Sequence, residues 1–262
     1  MRFLDWLGSS AFTVVRRWVY LASVIYSVLM LVVRPTTWRR TVREVLARQI
    51  LFTGVEAVRF TVAIAFFVGI AVVVQAQLWL QKIGQSTAVG PLLVAVIVRE
   101  VGPLLANVIV LVRSGNAITV ELANMKQSGE LRVLDAQGLD PLLYLVVPRV
   151  VGVMVSVFCL SVIMIATSLI SGYLLGLALE LKVGTPAHFL NGIVGSITAA
   201  DAPSVAARAL LPGMIAAVIC CTEGLSVGGT PTEVPRAVTR AVQRSFVSLF
   251  ITSVLISVVT YV

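Results

Sequence analysis

The sequence predicts an all-α integral membrane protein, with five transmembrane helices preceded by an N-terminal interfacial or re-entrant elbow helix. Two compositional observations and one physical rule carry that reading. Hydrophobic residues make up 58% of the 262 and charged residues only 12%, about half the charge typical of soluble domains. Near-chargeless runs of membrane-crossing length recur along the chain. Lipid offers no partner to an unpaired backbone group, so runs of this length must be helical. The composition excludes a disordered or a secreted, disulfide-framed protein. The net charge of +8 reports orientation in the membrane before it reports a nucleic-acid partner, and none is expected.

The first apolar run, Trp18 to Val33, is about 24 Å long as a helix, short of the roughly 30 Å hydrocarbon core. Arg16 and Arg17 precede it, and Arg34, Arg39, Arg40 and Arg43 follow. Basic residues at both ends favour an elbow in the interface over a span; a short tilted span is the alternative. Residues 1–55 form this N-terminal region, and residues 56–262 form the membrane domain.

The first expected span runs from about Val58 to Leu80, without charge after Arg59. The second, about Ala88 to Val112, carries Arg99 and Glu100 in its middle. The third, about Tyr144 to Leu181, suits one tilted helix that extends beyond the bilayer. Gly172 and Gly176, with Ser168, give it a small-residue stripe for close helix packing. The fourth covers about Val205 to Gly224 and the fifth about Ala237 to Val262. A short helix is expected after Pro186 in the connection between the third and fourth.

Charge orients these spans. Arg113, Lys126, Arg132 and Arg149 flank one connection, and Arg236, Arg240 and Arg244 another; the alternate connections carry only Lys82, then Lys182 and Arg208. The N-terminus and the basic loops therefore belong to the cytoplasm, and the C-terminus lies outside.

Few residues suit solution chemistry. Cys159, Cys220 and Cys221 sit inside apolar runs without metal-ligand spacing, and His188 stands alone. No metal site is expected, and no catalytic residue. Glu223, at the inner end of the fourth span, has Arg236 and Arg240 as candidate partners. No GxxxxGK[ST] occurs, so ATP would have to be used by another chain.

The stretch from Ser114 to Pro141 is mixed polar and apolar. Val120, Met125, Leu131 and Leu134 give a helix an apolar face, while Glu121, Lys126, Glu130, Arg132 and Asp135 stay wet. Such a helix across the cytoplasmic mouth suits a coupling helix that docks a soluble motor. An ordinary polar loop is the alternative.

Several anchors in one register then carry a resemblance. REVGPLL from Arg99 to Leu105, AITVEL and MK through Lys126, GLDP from Gly138 to Pro141, LVVPRV from Leu145 to Val150 and RAVTRAV from Arg236 to Val242 resemble the MlaE (YrbE-type) permease family. The similarity covers roughly Glu56 to Val262. The chain departs from the family pattern at Gly129-Glu130 and from Thr230 to Pro235.

The resemblance implies the permease subunit of an ABC transporter for phospholipid or a related lipid in a Gram-negative inner membrane. It implies a homodimer, two cytoplasmic ATPase subunits, an outer MCE-domain lipid-binding protein, and no cofactor in this chain. It makes Glu121, Met125, Lys126, Glu130, Leu131 and Leu134 the expected ATPase-coupling residues. It also favours a lipid cavity lined by the first and fifth spans. There Val72, Leu78, Phe250 and Val254 would meet acyl chains, with Arg99, Glu100, Gln75 and Gln77 offering polar contacts near the headgroup.

Three other classes fit the composition less well. An ion-coupled secondary transporter needs mid-membrane carboxylates, and only Glu100 qualifies. An intramembrane enzyme needs a nucleophile with its base. A structural assembly subunit needs no lipid cavity.

Overall fold

A computed structural model describes residues 19, 21–34, 38–82, 89–179, 186–228, 230 and 232–261. Among them there is no strand. The helices are α1 (Leu21–Val33), α2 (Arg40–Thr53), α3 (Val58–Lys82), α4 (Val89–Gln127), α5 (Glu130–Ala136), α6 (Leu142–Ala178), α7 (Pro186–Val194), α8 (Asp201–Leu225) and α9 (Glu233–Tyr261). Five helical stretches are long and apolar enough to cross a membrane: α2 with α3, α4, α6, α8 and α9.

The described part of the apolar α1, at about 20 Å, is shorter than these stretches. It buries Val24 and Val28 against the bundle. It ends where the Trp38 indole donates to the Val32 carbonyl at 3.0 Å, capping an acceptor that has no partner within the helix. The Trp18 end of the expected elbow lies outside the described residues, as do the ring of His188 and residues 1–18.

Two elements extend beyond the sequence expectation. Arg40–Thr53 is helical, with Val42, Gln49 and Thr53 buried and the Arg40–Glu44 ion pair on the exposed face. Its polar composition hides it from a search for apolar runs. It rests on α6 at Gly152, where an added Cβ would meet the Gln49 side chain. The second span does not stop at Val112. It continues as helix to Gln127, with π-helical stretches at Val94–Val101 and Leu111–Gly115. The expected single coupling helix is therefore two pieces, the end of α4 and the separate α5. The break falls at Gly129, whose φ of +80° is a conformation glycine adopts without steric cost.

The third span is one long helix, α6, as its length suggests, and it is the hub of the bundle. It packs against α2, α3, α4 and α8. The approach of α3 is closest: a Cβ at Gly69 would overlap the Ser168 carbonyl, and one at Gly172 would overlap Val73. Ser168 and Ser171 then donate to the Ala65 and Phe66 carbonyls, each at 3.1 Å. The small-residue stripe is thus a packing face. On the other side α8 packs against α6, α4 and α9. Exposed apolar side chains include Phe66, Phe67 and Trp79 on the outer face of α3 and Val254, Leu255 and Val259 on that of α9.

Candidate functional site

Four charges meet inside the membrane-spanning part of the bundle. Arg99 and Glu100 lie in the π-helical stretch of α4; Asp201 and Arg208 lie on α8. Asp201 and Arg208 are seven residues apart, about two turns, so both present to the same neighbour. Arg99 grips Asp201 through Nε at 2.8 Å and Nη2 at 3.1 Å. Arg208 pairs with Glu100. The signs alternate, so the ladder is neutral. That is how ionised groups persist at this depth, where an uncompensated charge is costly.

Two prolines explain the remaining contacts. Pro103 has no N–H to give the carbonyl four residues back, that of Arg99; Pro212 likewise leaves the Arg208 carbonyl without its usual donor. Each freed acceptor is taken by a side chain of the facing helix. Arg208 Nη1 donates to the Arg99 carbonyl at 2.7 Å. Asn107 Nδ2 donates to the Arg208 carbonyl at 3.1 Å. Helix breakers are tolerated in lipid when a neighbour restores the lost hydrogen bond, and here the two helices do so reciprocally.

The ladder is asymmetric in exposure. The Arg208 side chain is 2% exposed and that of Asp201 4%, whereas that of Glu100 is 41% exposed. Ser257 of α9 donates to Glu100 at 2.8 Å. Glu100 is thus the member of the ladder that looks out, beside the apolar face of α9 where Phe250 and Val254 are exposed.

The other expected lipid contacts are more scattered. Leu78 and Gln75 are exposed on α3, while Val72 is partly buried against a cluster that includes Leu93 and Ile97. Gln77 is 2% exposed, and neither its Nε2 nor its Oε1 has a partner.

The residues expected to couple to an ATPase lie at the opposite end of α4 and α8. Glu121 is held by Arg149 of α6 at 2.7 Å. The Lys126 ammonium turns inward and donates to the Leu225 carbonyl near the end of α8. Gln127 donates to the Thr230 carbonyl at 2.8 Å. Met125, Leu131 and Leu134 pack onto the core, and Glu130 accepts from Ser128 at 2.9 Å. Arg132, Val133 and Asp135 remain outward on α5. Glu223 takes Arg240 and Arg244 as partners rather than Arg236, which is exposed.

Sequence reasoning passed over Asp201, Arg208 and Asn107. The available signal was an arginine inside an otherwise apolar helix of spanning length.

A family model described as Permease MlaE matches residues 46–259, which takes in α3 to α9 and both halves of the charge ladder. The chain belongs to the MlaE permease family. It is 29% identical over 194 residues to a probable ABC transporter permease protein of Rickettsia typhi, covering 74% of each chain. It is 30% identical over 185 residues to a probable ABC transporter permease protein of Synechocystis, covering 69% of this chain and 68% of the relative. The intermembrane phospholipid transport system permease protein MlaE of Haemophilus influenzae is 28% identical over 131 residues, half of each chain. The protein is accordingly a multi-pass membrane permease of the ABC transporter type.

Proposed function

We propose that this permease moves phospholipid across or out of a bacterial inner membrane as a homodimer. A separate ATPase bound to each copy on the cytoplasmic side supplies the energy, and an MCE-domain protein meets it outside. The observation that carries the reading is the family membership, with a phospholipid-transport permease among the relatives.

The geometry adds a division of labour. A neutral, cross-braced ladder joins α4 to the first two turns of α8. Glu100 faces outward beside the apolar wall of α9, where a lipid would present a polar headgroup next to its chains. At the basic end, Lys126 and Gln127 strap α4 to the end of α8 and to Thr230, so that force on α5 is passed to both later spans. The excess of Lys and Arg in the basic loops supports a cytoplasmic position for that end and the N-terminus, with the C-terminus outside. α1, with basic residues at both ends of its apolar run, is read as an elbow at the cytoplasmic interface.

Affinity purification of the tagged chain from its native membrane tests this. The expected result is co-purification of an ATPase and of bound phospholipid. Recovery with neither would remove the reading.

A further inference from the structure

Both partners of Glu100 meet the same oxygen. Arg208 of α8 pairs with Oε1, and Ser257 Oγ of α9 donates to Oε1 at 2.8 Å. Oε2 has no hydrogen-bond partner among the described residues. An ionised carboxylate accepts on both oxygens, so one acceptor is left over. It sits on the exposed member of the ladder, while the Asp201 and Arg208 side chains are almost wholly buried. Its neighbourhood is apolar: Val254 and Phe250 precede Ser257 by one and two helical turns, and both are exposed.

The leftover acceptor calls for a donor, and the ladder limits the charge that donor can bring. Arg99, Asp201, Arg208 and Glu100 sum to zero. An anionic headgroup would therefore place an uncompensated negative charge next to Glu100. A zwitterionic headgroup with a primary ammonium adds no net charge and supplies N–H donors for a charge-assisted bond. A quaternary ammonium carries the same charge but has no N–H to give.

We propose that Glu100 Oε2 selects phospholipids with a primary ammonium headgroup, and that Ser257 is a positioning residue for this carboxylate. Arg208 and Ser257 approach one oxygen from two different helices and leave the other for the ligand. From Ile251 to Thr260 no residue of α9 is buried. Among the described residues, the Ser257–Glu100 bond is the side-chain hydrogen bond that ties this outer half of α9 to another helix. A displacement of α9 therefore changes the aim of the carboxylate. The proposal rests on the phospholipid-transport reading and adds the headgroup class to it.

The test is native mass spectrometry of the full chain in detergent, titrated with phosphatidylethanolamine and, separately, with phosphatidylcholine of the same acyl chains. Wild type should prefer phosphatidylethanolamine about tenfold, the worth of one charge-assisted hydrogen bond. Glu100→Gln should lose that preference while still binding phosphatidylcholine, a result that misfolding cannot imitate. Ser257→Ala should reduce the preference about threefold, and Ser257→Thr, which keeps the hydroxyl, should retain it. A purely structural role for Ser257 would change both lipids alike. If Glu100→Gln fails to fold, the Ser257 pair decides: equal preference in the Ala and Thr variants overturns the inference. Equal affinities for the two lipids in wild type, or a preference that survives Glu100→Gln, would overturn it too and leave transport untouched. Binding of neither lipid by wild type would overturn the proposed function along with the inference.

Discussion

Arg208 Nη1 donates to the backbone carbonyl of Arg99 at 2.7 Å, across the interface between α4 and α8. The same guanidinium neutralises Glu100. One side chain therefore repairs the defect left by Pro103 and pairs its own buried charge with the half-exposed Glu100. Arg208→Met should destabilise the protein by about 1–3 kcal/mol, because the Arg99 carbonyl is left without its donor. Arg208→Lys should recover part of that loss, since one ammonium can satisfy one partner well but not both in a fork. Thermal unfolding in detergent reads both. Equal stability of Met and Lys variants would show that the contact is incidental.

Asn107 and Pro212 form a testable pair. Asn107→Leu should cost about 1–2 kcal/mol, since it strips a donor from the Arg208 carbonyl. Pro212→Ala supplies the backbone N–H that this carbonyl lacks. In the Pro212→Ala background the Asn107→Leu loss should shrink, giving a non-additive double-mutant cycle. Simple additivity would mean that Asn107 acts through its other acceptors.

The spans were legible because charge-free runs of this length have few alternatives to crossing lipid, and the packing role of Gly172 and Ser168 followed from spacing alone. Arg40–Thr53 was not legible, because its buried face is narrow and includes Gln49 and Thr53. The end of α4 was hidden for a related reason. Glu121 reads as a wet residue of a separate helix until it is seen to pair with Arg149, while Thr119 donates to the Cys220 carbonyl. The ladder joins residues about a hundred positions apart, a distance over which no helical periodicity operates. Arg208, counted at the sequence level among the charges of an outer connection, is a buried member of α8.

Gln77 gives a prediction of opposite sign to the usual core substitution. Its amide is buried without a partner on either atom. Gln77→Leu should raise the melting temperature, because the desolvation cost of that amide disappears, on the order of 1–3 kcal/mol. If lipid occupancy falls in the same variant, the amide serves substrate; if only stability rises, it is a packing defect.

The coupling face separates docking residues from bracing ones. Val133→Glu, on the outward side of α5, should reduce ATPase co-purification and leave the stability within about 0.5 kcal/mol of wild type. Lys126→Glu should instead destabilise the chain, because the ammonium that caps the Leu225 carbonyl is lost. A stable Lys126→Glu protein that has lost its ATPase would show that Lys126 is a docking residue after all.

Close approach of α3 to α6 predicts that Gly69→Ala is damaging. The new methyl would overlap the Ser168 backbone, and overpacking of this kind costs about 1–3 kcal/mol. A wild-type melting temperature would show that the two helices can separate freely.

The lipid path is tested most directly by photo-crosslinking. A photoreactive amino acid at Phe250 or Val254 on α9, or at Leu78 on α3, should capture phospholipid, and capture should change when ATP is supplied to the assembled complex. Ile170 and Leu174, exposed on α6, serve as bulk-lipid controls. The account predicts ATP-sensitive capture at the first set and constant background at the second. Equal, ATP-insensitive capture at all five positions would contradict it.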